Sequence, residues 1–235
     1  MRRCSGTAAL AALLALALAA CGGSSSGSGS GSGGSSNGIT SKSPDQIVSA
    51  ATSAVGGVKS VHVSGQVASG GQNVALDLNL VNGKGGTGSM SQNGLGFKIV
   101  AVGPDLYING SSAFWNKFGG SAAAQLLSGK WLKAPASGQL SSLATLTDVQ
   151  KLFSQLLSSH GKLATGKTTT VRGQQVVAVN DTTNGGTLYV ATNGKPYPIE
   201  ISKTGSAGGQ LVFDRFNEPV SLTAPANAIN ISQLK

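Results

Sequence analysis

The sequence predicts an α+β fold in which an antiparallel sheet of about ten strands is covered on one face by several helices. Short segments of alternating apolar and polar residues occur in both halves of the chain, and glycine-rich turns separate them. Between these two sets of segments, the apolar residues recur at helical spacing. Consecutive strands joined by short turns favour an antiparallel meander with one buried face, and the helices are suited to cover that face.

The first element of the fold is a predicted helix that begins after Ser43 and ends at Gly56-Gly57. Ser43 can cap the helix, and Pro44 suits its first position. Five strands follow, and Asn93-Gly94 is a strong hairpin signal between two of them. The strands are predicted over residues 61–67, 74–80, 87–92, 95–101 and 106–109.

The middle of the chain predicts two helices, over residues 113–127 and 140–159. After Gly161 the alternation of strands resumes. Five further strands are predicted over residues 168–171, 174–180, 187–191, 197–203 and 210–214.

The first twenty residues have the three zones of a signal peptide. Arg2 and Arg3 precede an apolar run over about residues 8–20, which is too short to cross a bilayer as a helix. Leu18-Ala19-Ala20-Cys21 resembles the lipobox of bacterial lipoproteins. The resemblance implies that residues 1–20 are removed and that Cys21 becomes the acylated first residue. We therefore expect an exported protein, lipid-anchored at the outer face of the cytoplasmic membrane, in the cell envelope.

A tether is predicted between the acylated Cys21 and residue 42. Its residues are almost all Gly and Ser, which bury too little apolar surface to offset chain entropy. The remaining residues, 43–235, are predicted to form one domain. The chain's other cysteine, Cys4, lies in the segment expected to be removed, so the mature domain has no disulfide and folds around its apolar core, as an expected monomer.

The charge pattern does not favour a nucleic-acid partner. The chain has 17 Lys and Arg against 8 Asp and Glu, a formal charge of +9. The basic residues are scattered singly rather than gathered in a stripe with aromatic residues, as nucleic-acid binding would require. Two histidines and dispersed carboxylates also give no basis for a zinc site, and no cofactor is predicted.

Several segments of the domain resemble the actinobacterial LppX/LprG envelope lipoproteins, which are related in shape to the LolA/LolB lipoprotein carriers. The resemblance covers the whole domain and includes the order of elements. It is carried by residues 105–108 before an aromatic helix, and by residues 129–133, 171–174, 188–190, 194–198 and 213–220. It implies a half-barrel that wraps helices and leaves an apolar cavity for lipid chains. The low aromatic content and glycine-rich sheet of this chain leave the size of that cavity open.

Twelve apolar residues on predicted strands and helices are the candidates to contact a lipid. They either line such a cavity or pack a solid core, and the sequence does not separate the two. The candidates are Leu76, Leu78, Leu80, Phe97, Ile99, Phe114, Trp115, Phe118, Leu152, Phe153, Leu156 and Phe213.

Two nucleotide-binding motifs occur in the wrong structural context. Residues 161–168 match G-x-x-x-x-G-K-[ST], but the predicted order is helix, motif, strand, whereas a phosphate loop needs a strand before it and a helix after it. Gly83, Gly85 and Gly88 match a dinucleotide motif but lie between two antiparallel strands. No nucleotide ligand is therefore expected.

The sequence predicts a protein that is not an enzyme. The two histidines, His62 and His160, lie on a strand and at a helix end, and no G-x-S-x-G elbow appears between a strand and a helix. The expected function is to bind an acylated lipid in an apolar cavity and to carry or present it at the membrane. A packed-core scaffold or sensor that binds protein or wall polymer, and a hydrolase of unfamiliar type, remain as alternatives.

Overall fold

The computed structural model describes residues 35–69, 72–205 and 208–234, and it confirms the α+β half-barrel. These residues form one open, curved, mixed sheet of twelve strands together with four α-helices. The helices are α1 Pro44–Gly56, α2 Ser112–Leu127, α3 Ser141–Leu146 and α4 Val149–Ser158. The strands are β1 Ser60–Ser69, β2 Gln72–Val81, β3 Gly85–Gln92, β4 Leu95–Val102, β5 Asp105–Gly110, β6 Leu132–Pro135, β7 Leu163–Val171, β8 Gln174–Asp181, β9 Thr187–Ala191, β10 Pro198–Lys203, β11 Gly209–Asp214 and β12 Ile229–Asn230.

Two antiparallel meanders meet in the middle of this sheet. The strand order is β12-β6-β5-β4-β3-β2-β1-β11-β10-β9-β8-β7, so the last strand of the second meander pairs with the first strand of the first meander. The expected sheet of about ten antiparallel strands is extended by β6 and β12, which pair in parallel with each other. These two strands are too short for the alternation of apolar and polar residues to reveal them.

Helix α1 forms where the sequence predicts it, because both of its ends are specified locally. The Ser43 hydroxyl accepts from the Gln46 backbone N–H, and the Gln46 side chain accepts from the Ser43 N–H in return. The buried face of the helix packs on α4 and on strands β7 and β8. It consists of Ile47, Val48, Ala51 and Val55.

The two helices predicted in the middle of the chain are interrupted. The expected helix over 140–159 is divided into α3 and α4, because the Asp148 carboxylate caps a new helix by accepting from the Lys151 N–H at 3.0 Å. Helix α2 is kinked at Gly120, whose φ of 78° and ψ of 179° leave the helical region. Only glycine adopts this conformation readily, so the Gly119-Gly120 pair explains the kink.

The folded region begins before the predicted boundary at residue 43. Ser36 forms a β-bridge with Asn193, the Asn37 side chain donates to the Ala191 carbonyl at 2.9 Å, and Ile39 is buried in the core. Cys21, the predicted signal peptide and residues 22–34 of the predicted tether lie outside the described residues.

Gly65 pairs with Leu211 of β11, at the junction of the two meanders. Its φ is 144°, and a Cβ atom there would lie 2.0 Å from the Gln210 carbonyl oxygen. Any side chain at this position therefore forces the two central strands apart.

We predict that Gly65→Ala lowers the free energy of unfolding by at least about 2 kcal/mol, because it adds backbone strain and a steric clash in the central pairing. Urea unfolding followed by circular dichroism measures this change. Gly96→Ala is the matched control, since no atom lies within 4 Å of a Cβ at that position. Equal unfolding midpoints for the two variants would contradict the prediction.

Asp181 organises the turn between β8 and β9. Its carboxylate accepts from the backbone N–H groups of Asn184 at 2.8 Å, Gly161 at 2.9 Å and Thr183 at 2.9 Å. These donors stabilise the charged carboxylate and lower the pKa of Asp181 to about 2. The same contacts tie the turn to the segment that precedes β7.

We expect Asp181→Asn to unfold at a lower Tm than the parent protein near pH 7. Because the pKa of Asp181 is lower in the folded state than in the unfolded state, its stabilisation is complete above the ordinary carboxyl pKa of about 3.9 and is lost as the pH falls through about 2. The Tm difference between the two proteins should therefore narrow between roughly pH 4 and pH 2. Thermal unfolding at these pH values measures it, with Glu218→Gln, an exposed carboxyl, as the control. A Tm difference that stays the same from pH 7 to pH 2 would contradict the lowered pKa of Asp181.

Candidate functional site

An apolar cleft opens between α2, residues 138–146 and strands β4–β6. Its volume is about 620 Å³, which lies within the roughly 300–1,000 Å³ typical of ligand sites in proteins. Strand and C-terminal residues contribute aliphatic side chains to it, and the segment that includes α3 contributes two leucines. These aliphatic residues are Ile108, Leu132, Leu140, Leu143 and Ile231.

One wall of the cleft is a chain of aromatic side chains. The Phe114 ring lies 4.8 Å from the Phe97 ring, 5.0 Å from the Trp115 ring and 4.8 Å from the Phe118 ring, measured between centroids. The Trp115 ring meets Phe114 edge to face, a favourable arrangement for aromatic pairs. Ser111 starts this part of α2, because its hydroxyl accepts from the Phe114 N–H at 3.1 Å.

The polar groups at the cleft are few. Gln92 and Ser137 contribute to its lining. The indole Nε1 of Trp115 is buried and has no hydrogen-bond partner among the described residues. A ligand in this cleft would therefore meet a surface that is mainly hydrocarbon.

Four of the twelve sequence candidates lie in the cleft wall: Phe97, Phe114, Trp115 and Phe118. The first three are mostly buried, whereas Phe118 is 56% exposed. The sequence analysis missed the aliphatic wall. Part of this wall belongs to β6, which is too short for its sequence pattern to identify it.

The other candidates lie elsewhere in the interior. Seven are buried core residues, and two of these, Phe153 of α4 and Phe213 of β11, pack ring against ring at 4.8 Å. The seven core residues are Leu76, Leu78, Leu80, Ile99, Leu152, Phe153 and Phe213. Leu76 borders a separate surface hollow of about 550 Å³, and half-buried Leu156 borders a small cavity of about 210 Å³ beside the Asp181 turn. The structure thus contains both a packed core and a cleft.

His62 lies on the face of β1 opposite to the core residues Val61 and Val63. Its Nδ1 is 2.6 Å from Asp214 Oδ1, and its Nε2 is 3.1 Å from Asp77 Oδ1. Each ring nitrogen is thus within hydrogen-bond distance of a carboxylate oxygen. Because both nitrogens are occupied in this way, the ring does not form the Ser–His pair that a serine hydrolase uses.

The residues that match the phosphate-loop motif lie mainly in an extended strand. Gly166, Lys167 and Thr168 belong to β7, with a β-bulge between Thr165 and Thr168. An extended strand does not direct successive N–H groups at one phosphate, as a loop before a helix does. The geometry of this segment gives no support to nucleotide binding.

The described residues contain neither a metal-binding cluster nor a helix that could span a membrane. In the described part of the chain, no group of three His, Cys, Asp or Glu side chains is placed to hold a metal ion. None of the helices in the described ranges is both long enough and apolar enough to cross a bilayer.

Comparison with known proteins identifies structural relatives at low sequence identity. No protein-family model matches the chain, and no curated protein sequence matches it. LprF from Mycobacterium bovis is similar in structure, with a TM-score of 0.55 and 14% identity over 78% of this chain and 97% of LprF. The Mycobacterium tuberculosis lipoprotein LppX is similar with a TM-score of 0.51 and 18% identity, over 77% of this chain and 98% of LppX. The chain therefore shares the fold of LprF and LppX, which confirms the resemblance to LppX/LprG-type lipoproteins seen in the sequence.

Proposed function

We propose that this chain is a non-enzymatic lipoprotein of the cell envelope that binds an acylated lipid in the apolar cleft and carries or presents it at the membrane. The cleft is the observation that carries this proposal. It is lined by an aromatic wall and an aliphatic wall, and charged side chains are absent from its lining within the described residues.

The cleft is large enough for useful affinity. Burial of a methylene group contributes roughly 0.8 kcal/mol, so about ten buried methylenes contribute about 8 kcal/mol before the entropy cost of binding. Without that cost, about 8 kcal/mol would correspond to a Kd near 1 μM, so the Kd of an acyl chain buried to this extent lies above about 1 μM. An acyl chain of palmitate length can bury this many methylenes in part, and the headgroup can remain outside.

The proposed lipid anchor would hold the cleft near a membrane. Acylated Cys21 would hold the protein at the outer face of the cytoplasmic membrane, and residues 22–35 would form the tether. A Gly/Ser coil of that length has an end-to-end distance of about 20 Å. The folded part, as a monomer, would then remain within reach of the lipid surface while being free to turn.

The packed half of the interior supports one alternative. Leu78, Leu80 and Ile99 are fully buried, so the fold does not need a ligand to fill its centre. An envelope scaffold or sensor that binds protein or wall polymer would have such a core. Lipid content distinguishes this alternative from the carrier.

The direct test is native mass spectrometry of the compact unit formed by residues 33–235, followed by organic extraction. We expect co-purified acylated lipid, which the extraction releases. A clean protein mass, together with no uptake of a fluorescent fatty acid, would exclude the carrier and favour the scaffold.

We predict that Leu143→Trp weakens binding of a fluorescent fatty acid roughly fifteenfold. Leu143 is a half-buried cleft residue, and the larger side chain should displace about two methylenes, worth about 1.6 kcal/mol. Titration by fluorescence measures the change in Kd. Val171→Trp is the matched control, because Val171 is half-buried on the edge strand β7 and does not line the cleft. Equal weakening by both variants would show that the cleft is not the binding site.

A further inference from the structure

Two of the large exposed apolar side chains line the cleft. Among the described residues, the exposed ones are Phe118, Leu126, Ile231 and Leu234. Phe118 and Ile231 both line the cleft, although one belongs to α2 and the other to the C-terminal segment. Exposed apolar residues that cluster at a cavity mouth indicate an interaction surface.

The middle of α2, around the kink at Gly120, is exposed. Every residue from 116 to 122 is exposed, and Gly120 interrupts the helix within this run. From residue 119 to residue 122 the run contains only Gly, Ser and Ala, so its side chains are small. We call residues 116–122 together with Ile231 the rim surface.

The segment of sequence that contains most of the rim surface is cationic. From residue 106 to residue 147 the sequence contains Lys117, Lys130 and Lys133 and no acidic residue. Lys133 is paired with Asp105 at 2.9 Å, whereas Lys117 and Lys130 are exposed and form no ion pair with the described acids. These 42 residues build α2, β6 and α3, which form much of the cleft.

We propose that the rim surface docks on an anionic phospholipid membrane, with Phe118 entering the interface and Lys117 close to lipid phosphates. This inference rests on the proposed function, because a carrier must bring its cleft mouth to the lipid layer. Exposed apolar groups beside cationic groups suit an anionic interface, where each nearby Lys contributes attraction that salt screens. A protein partner has no comparable support, since the surface is small, kinked and rich in Gly and Ala.

The test places a fluorescent probe on the rim of the full-length protein, reconstituted through its lipid anchor. Ala122→Cys is labelled with an NBD dye, since Ala122 is exposed and does not line the cleft. The chain's own cysteines are Cys4 and Cys21, so the proposed processing leaves the introduced thiol as the reactive one. Gln174→Cys is the control, because Gln174 is exposed at the start of β8, near the other edge of the sheet.

In vesicles of phosphatidylcholine with phosphatidylglycerol, we expect NBD emission at position 122 to rise roughly threefold over its value in phosphatidylcholine alone. Emission at position 174 should not change. About 0.5 M salt, or the added substitution Lys117→Glu, should remove most of the rise, because the attraction is electrostatic.

Docking is overturned if emission at position 122 is the same in both vesicles, or if positions 122 and 174 respond equally. A rise in NBD emission at position 122 on addition of an envelope protein, without a rise in vesicles, would also overturn docking on a membrane. Lipid content of the same variants, measured by mass spectrometry, separates the two proposals. Retained lipid without docking rejects only the docking surface, whereas docking without bound lipid supports the surface and rejects the carrier.

Discussion

The antiparallel pairing of β1 with β11 determines where the rest of the molecule lies. It joins the two meanders into one sheet, and it depends on a close approach at Gly65 that leaves no room for a side chain. Because β1 follows α1 and β11 comes late in the chain, this pairing joins strands that are far apart in sequence, with His62 opposite Asp214. The helices between the meanders are then confined to the concave side of a single sheet.

The concave side is divided into a solid half and an open half. Helices α1 and α4 pack on each other, and Phe153 and Phe213 fill the space beneath them. Near β4–β6, by contrast, the kinked α2 and the short α3 leave the cleft between them. The cleft nevertheless borders the same core, because Phe97, Phe114 and Leu132 both line the cleft and belong to the core cluster.

The sequence was a reliable guide where the local signals were complete. The Ser43-Pro44 start of α1, the Asn93-Gly94 hairpin and the alternation in β1–β5 and β8–β11 all predicted the observed elements. Less could be predicted where the structure depends on distant partners: β12 has two residues and exists only through its pairing with β6. The break at Asp148 had a local signal, an Asp before an apolar run, which the stronger helical periodicity on both sides concealed.

The candidate site was predictable by residue type but not by location. Alternation identifies Leu78 and Phe97 equally well as inward-facing residues of strands. Whether such a residue touches another side chain or an empty space depends on which helix covers it, and a kink at a single glycine in α2 contributes to that outcome. Periodicity alone does not contain this information.

The two ends of the sheet limit self-association. A free edge strand is a template on which another copy of the chain can pair, a hazard that grows when proteins are concentrated on a surface. At one end, β12 covers part of β6 and is itself only two residues long. At the other end, β7 is nine residues long, but a bulge between Thr165 and Thr168 interrupts its register, and it carries Lys167. Both edges are therefore poor templates for the addition of a strand from another copy of the chain.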